Sequence, residues 1–178
     1  RELRREEVDL VGLLVDTVAD ARAAGPDHDW QLDLAVLEPP ADATPQEAED
    51  FLPEPPLVIG DEARLRQVVV NLLANARVHT PAGSHVTTTL AREGDTLIVR
   101  IHDDGPGIAP DVRDRLFERF ARGDSSRERR TGSTGLGMSI ALAIVQSHGG
   151  SIDVDSSTAP EDHGTTFSVR LPAAVVEE

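Results

Sequence analysis

The stretch DEARLRQVVVNLLANARVHTP, residues 61–81, decides how the rest of the chain is read. Asp61 is placed to cap a helix, the apolar residues Leu65, Val68, Val69, Leu72 and Ala76 recur at helical spacing, and Thr80-Pro81 stops the pattern. At 100° per residue, Asn71 and Asn75 fall on one stripe about 40° apart, and that stripe lies about 100° from the apolar cluster. Two neutral amides at the edge of a core-facing helix can reach one ligand together. Their carbonyl oxygens suit a hard cation such as Mg²⁺ whose other ligands are water and phosphate. Two polar residues on a solvated face fit the same pattern.

Outward from this helix, LVIG at 57–60 reads as a short strand before it, and HVTTTLAR and DTLIVRIHD, divided by Glu93-Gly94, read as a hairpin after it. The hairpin runs into the glycine-bearing turn DDGPGI. A short helix is expected from Pro110 to Phe120, a flexible loop through ARGDSSRERRTGSTG, and a helix over GLGMSIALAIVQSHGG that stops at Gly149-Gly150. SIDVDSS and TTFSVRLP close the chain as paired strands. Towards the N-terminus, residues 8–24 predict an amphipathic helix, WQLDLAVL alternates Trp30, Leu32, Leu34 and Val36 like a half-buried strand, and residues 38–56, with six prolines, predict a mobile loop. Interspersed helices and late hairpins predict an α+β fold. It should be a two-layer α/β sandwich, a mixed and mostly antiparallel sheet covered on one face by about three helices.

Composition narrows the chemistry. The 178 residues are enough for one domain with its own core. A formal net charge of −15 argues against nucleic acid or an anionic membrane as partner, so an anionic ligand must be held by local geometry. With no Cys there is no thiolate metal site or cysteine nucleophile. All 17 basic residues are Arg, which excludes a P-loop lysine and a Schiff-base lysine. No run approaches the roughly 20 apolar residues of a membrane span. The six His residues show no metal-ligand spacing.

Three further features carry chemistry. Asp103 ends a strand and is followed by Gly105 and Gly107; the glycines allow a flat ligand close to the backbone, and the carboxylate can accept from an exocyclic amine such as that of adenine. A plain turn built on Pro106-Gly107 is the alternative. Residues 132–139, GSTGLGMS, open into a helix whose first N–H groups suit phosphate, although Met138 stands where a P-loop has its lysine. Between them lie Arg119, Arg122, Arg127, Arg129 and Arg130, of which one or two should touch an anionic ligand, against the simpler reading of solvated loop charges.

The order of these features resembles the catalytic, ATP-binding domain of bacterial sensor histidine kinases, within the superfamily that includes gyrase, Hsp90 and MutL ATPases. RQVVVNLLANARVHTP is similar to that family's N box, DDGPGI to its first glycine box, LFERFAR to its F box, TGLGMSIALAIVQSHGGSI to its second glycine box, and GTTFSVRLP to its closing strand. The resemblance runs from about Val8 to Pro172. It implies a Bergerat-type fold over residues 8–178, preceded by residues 1–7 as the tail of a helical dimerisation segment, with residues 118–134 as an ATP lid. ATP and Mg²⁺ would be the ligands. Asn75 would hold Mg²⁺, Asn71 would support the metal or phosphates, and Asp103 would bind the adenine amine within a pocket shaped by Gly105, Gly107 and Ile108. His79 would border the adenine; Gly135, Leu136 and Gly137 would lie along the phosphates; Arg122 and Thr165 would complete the nucleotide contacts, and Phe117 and Phe120 would anchor the lid.

Two departures matter. Such kinases often carry a basic residue three positions after the second Asn, followed by an aromatic; here Val78 and His79 stand there, and Arg77 points about 100° away from Val78. Gyrase-type relatives place a Glu base where this chain has Asn71, which cannot take a proton, so the resemblance implies phosphoryl transfer rather than hydrolysis. The acceptor would be a His on a separate dimerisation domain, since no His-Glu-x-x-Thr-Pro motif occurs here. A response regulator would act downstream. The expected setting is the cytoplasmic domain, itself monomeric and without membrane contact, of a membrane-anchored sensor kinase. A Ser/Thr kinase of anti-sigma type and a non-catalytic nucleotide-binding module are the competing functions.

Overall fold

A computed structural model describes residues 2–114 and 134–175, with side chains from residue 137 onward in the second stretch. The elements run β1 (Glu6–Asp9), α1 (Leu10–Ala24), β2 (Asp29–Asp33), a 3₁₀ turn (Ala35–Leu37), α2 (Pro45–Glu49), β3 (Leu57–Gly60), α3 (Glu62–His79), β4 (His85–Glu93), β5 (Thr96–Asp103), α4 (Thr134–Ser147), β6 (Ser151–Ser157) and β7 (Gly164–Pro172). A helical turn begins at Pro110 and is described through 114.

Five strands form one sheet in the order β2-β4-β5-β7-β6, with β2 parallel to β4 and every other pairing antiparallel. Alternation in β5 explains how its two faces differ. Leu97, Val99 and Ile101 enter the core, while His102 on the other face is exposed. Leu14 and Val18 of α1, Leu65, Val69 and Leu72 of α3, and Ala141, Ile144 and Val145 of α4 pack with Leu90, Phe167, Val169 and Leu171 into one buried cluster. The expected two-layer sandwich is therefore what the chain forms. Burying a side chain of this size contributes about 1.5–3 kcal/mol before entropy is counted.

The N-terminal part differs from the sequence reading. Residues 6–9, expected to straddle a helical tail and the first helix, are strand β1, which pairs antiparallel with β3 from Glu6 opposite Gly60 to Asp9 opposite Leu57. The unpaired edge of β3 takes up this segment. The helix then begins at Leu10 because Asp9 caps it, its carboxylate accepting from the Val11 N–H at 2.9 Å. Trp30 and Leu32 do lie in a strand, but it ends at Asp33, and Val36 is buried from a 3₁₀ turn. Within 38–56 the helix α2 forms on a capping box between Thr44 and Glu47.

α3 fulfils its pattern. Asp61 caps it by accepting from the Arg64 N–H, and its carboxylate also accepts from the Arg4 N–H. At its far side the His148 imidazole accepts from the Asp61 N–H at 3.0 Å and donates to the Ile144 carbonyl at 2.8 Å. That imidazole joins the start of α3 to the end of α4. Among the described residues no helix is long and apolar enough to cross a membrane.

Candidate functional site

Where β5 ends, the sheet and α3 diverge and leave a cleft of about 450 Å³. Asn75 and His79 line it from α3, Asp103 from β5, Gly107 and Ile108 from the following turn, Met138 from α4, and Thr165 and Phe167 from β7. Its lining is mostly apolar with a few polar groups, as small-molecule sites commonly are.

Among the described residues Asp103 is the one carboxylate in that lining. Its side chain belongs to a residue only 8% exposed, and one carboxylate oxygen accepts from the Gly105 N–H at 3.0 Å. Burial pushes the carboxyl above the usual carboxylate range; the N–H groups of Gly105 and Thr165 and the nearby His102 pull it back without cancelling that rise. A buried carboxylate held by backbone N–H groups, with a mostly apolar cleft in front of it, is suited to a neutral donor such as an amino group.

The two glycines are required for different reasons. Gly107 has φ +82°, and a Cβ there would run into the Ser157 carbonyl. Gly105 has an ordinary φ, but a Cβ would press on the Thr80 methyl and the Asp103 carboxylate. The turn is further fastened by the His163 imidazole donating to the Gly105 carbonyl at 2.6 Å and by the Ile108 N–H donating to the Ser156 hydroxyl at 2.7 Å. Next to it, Asp104 sits below the usual carboxylate range: burial opposes the charge, and the His85 backbone N–H and imidazole, both at 2.8 Å, outweigh that.

The Asn pair divides. Asn75 lines the cleft, half-buried, whereas Asn71 donates from its amide to the Gly137 carbonyl at 3.1 Å and so ties α3 to the first turn of α4. His79 also lines the cleft, and Val78 beside it is 54% exposed. Gly135 and Leu136 lie in helical backbone from Thr134 onward. Gly137 is not required by sterics, since a Cβ would lie 3.6 Å from the nearest Asn71 atom. Arg122, the neighbouring Arg119, Arg127, Arg129 and Arg130, and Phe117 and Phe120 lie outside the described residues. Met138, Val112 and Phe167 line the cleft without having been singled out as ligand contacts. Their apolar character at core spacing gave no sign of it.

The described residues bring together no group of three or more His, Cys, Asp or Glu able to hold a metal. A cation beside Asn75 would therefore draw most of its ligands from phosphate and water, which suits Mg²⁺ and an amide carbonyl.

Residues 60–175, which include α3, the whole cleft lining and the strands behind it, match the family model for histidine kinase-, DNA gyrase B- and HSP90-like ATPases. The chain belongs to this ATPase family. It is 48% identical over 172 residues to the probable sensor histidine kinase TcrY of Mycobacterium tuberculosis, a match covering 97% of this chain and 32% of TcrY. Among solved structures, the mycobacterial sensor histidine kinase MprB superposes with a TM-score of 0.72 at 28% identity, covering 97% of this chain and 99% of that one. The ATP-binding domain of PrrB from Mycobacterium tuberculosis superposes at 0.66 with 25% identity, covering 96% and 98%. The chain spans about a third of the length of the curated relatives it matches. Its extent is that of the ATP-binding catalytic domain of sensor histidine kinases.

Proposed function

We propose that the cleft holds ATP, adenine end against Asp103, and that the domain passes the γ-phosphoryl group to a His on a dimerisation domain elsewhere in the intact protein. The observation that carries this reading is the buried Asp103 in a mostly apolar cleft that Asn75 also lines. Asp103 accepts from the exocyclic amine, and the turn at Gly105, Gly107 and Ile108 brings backbone against the purine. His79 and Thr165 border it. From there the polyphosphate extends towards α3 and the first turn of α4, where helical N–H groups at Gly135, Leu136 and Gly137 favour anions. Arg122 supplies lid charge over the phosphates.

Asn75 contributes a carbonyl oxygen to Mg²⁺, which when bound offsets the charge of the phosphates. Asn71, held on Gly137, braces the phosphate end of the site and offers no base to activate water. Positioning and electrostatics then carry the reaction: the γ-phosphorus bond to the bridging oxygen breaks, a bond to the acceptor imidazole nitrogen forms, ADP leaves, and the imidazole proton is released. The intact protein is a membrane-anchored sensor with this domain on the cytoplasmic side, and a response regulator receives the phosphoryl group.

The test mixes this domain, Mg²⁺, γ-labelled ATP and the acceptor hairpin of its own parent protein. Acid-labile, alkali-stable label on the hairpin, lost in Asn75→Ala, is expected. Acid-stable label would indicate a Ser/Thr kinase, and ATP binding with no label on the hairpin or on the intact kinase would leave a nucleotide-binding module.

A further inference from the structure

Beside the cleft three neighbouring strands present three side chains in one row. Asp103 of β5 is registered opposite Thr165 of β7, and Thr165 opposite Ser156 of β6. Directly opposed residues of antiparallel strands share a face. We infer that Ser156 is a positioning residue that makes this site select a six-amino purine over a six-oxo purine, an inference that rests on the ATP reading of the cleft.

A serine hydroxyl has one proton to donate and two lone pairs to offer. The Ser156 hydroxyl accepts from the Ile108 N–H at 2.7 Å, lies 3.1 Å from the Gly164 carbonyl and lies 2.8 Å from the Thr165 hydroxyl. A carbonyl only accepts, so the bond to Gly164 uses the Ser156 proton. The Thr165 hydroxyl must then donate into the second lone pair of Ser156. This arrangement forms all three bonds at once, whereas turning the Ser156 proton towards Thr165 gives up the one to Gly164. With its proton spent on Ser156, Thr165 shows the cleft lone pairs alone.

Asp103 and Thr165 thus stand side by side as two acceptors. An amino group on the purine brings two hydrogens to them. A carbonyl at that position brings only lone pairs, which face acceptors and lose hydrogen bonding they had in water. Ser156 need not touch the nucleotide for this to hold. It sets the direction of the Thr165 hydroxyl and, through Ile108, fixes the turn that closes over the ring.

The experiment measures equilibrium binding of ATP and of inosine triphosphate, each with Mg²⁺, to the wild-type domain, Ser156→Ala, Ser156→Thr and Asp103→Asn, with melting of each variant alongside. Ser156→Ala releases the Thr165 proton, so the preference for ATP over the inosine nucleotide should fall about fivefold, the worth of one ordinary hydrogen bond. Ser156→Thr keeps a hydroxyl and should keep the preference. Ser156→Cys preserves the volume with a weak donor and carries the same expectation as Ser156→Ala if the alanine variant does not fold. Lower melting in Ser156→Ala with an unchanged preference would overturn the inference and leave the ATP reading standing. A wild-type domain that binds both nucleotides equally and ignores Asp103→Asn would instead remove the ATP reading itself.

Discussion

Asp103→Asn should move folding and ligand binding in opposite directions. The carboxylate is buried, and its carboxyl is raised because burial disfavours the charged form. A group whose folded pKa is raised binds protons more readily folded than unfolded, so the ionised form costs the fold stability at neutral pH. That cost starts to shrink as pH falls below the raised value and is gone below the unfolded value, about 3.9. Asparagine keeps an oxygen for the Gly105 N–H at 3.0 Å and carries no charge to desolvate. The free domain should therefore melt at the same temperature or higher at pH 7, and the difference should close in acid. Binding should suffer. The amide turns an N–H₂ towards a ligand amine, and losing one hydrogen bond to a charged acceptor costs about 1.5–3 kcal/mol, or roughly 10- to 150-fold in ATP affinity. Differential scanning calorimetry and ATP titration on the same preparation check both. If Asp103 only pinned the turn, the asparagine oxygen would pin it equally and ATP affinity would not change. Unchanged ATP affinity in a variant that still folds would refute the assignment.

Asn75→Ala should leave melting nearly unaltered, because the side chain lines an open cleft, and should abolish the Mg²⁺ dependence of ATP binding in titrations with and without the cation. Gly107→Ala forces a Cβ against the Ser157 carbonyl at φ +82°, so it should cost the fold at least the roughly 1–2 kcal/mol of a left-handed residue and weaken ATP binding; both are read by thermal shift with and without nucleotide. His85→Ala removes the imidazole from Asp104 but leaves the backbone N–H in place, so the lowering of that carboxyl is only partly undone. A carboxyl with a lowered folded pKa stabilises the fold above its unfolded value, about 3.9, and that contribution is lost as pH falls through the lowered one. The stability gap between wild type and variant that is due to Asp104 should therefore be present near neutrality and shrink below pH 4 in urea titrations, and being exposed it should stay within about 1 kcal/mol.

The parts legible in the sequence were those whose signal is local. α3 could be read because Asp61, a helical apolar stripe and Thr80-Pro81 all lie within one segment, and the hairpin of β4 and β5 because its alternation is long. β1 could not. Its four residues EEVD bury only Val8, and it is a strand because β3 offers an edge about 50 residues away. Leu34 and Val36 continue the alternation of β2 on paper, yet the backbone leaves the sheet at Asp33 and buries Val36 by a tight turn instead. In the site, Asp103, Gly107 and Asn75 stood out because their residue types are costly or constrained where they sit. Met138 and Phe167 are core-like residues that happen to face a cleft. Ser156 matters only through the register of three strands and the turn after β5, none of which a window of sequence can show.

The central claim, that the cleft between α3 and the end of β5 is the nucleotide site, is tested most directly by amide chemical-shift mapping as ADP and Mg²⁺ are added to the ¹⁵N-labelled domain. Shifts should concentrate at Asn75, His79, Asp103, Gly105, Gly107, Ile108 and Thr165, and the β1–β3 pair should stay still. Saturable shifts confined to the surface around Arg4, Arg5 and His148, with residues 103–108 unmoved, would contradict it.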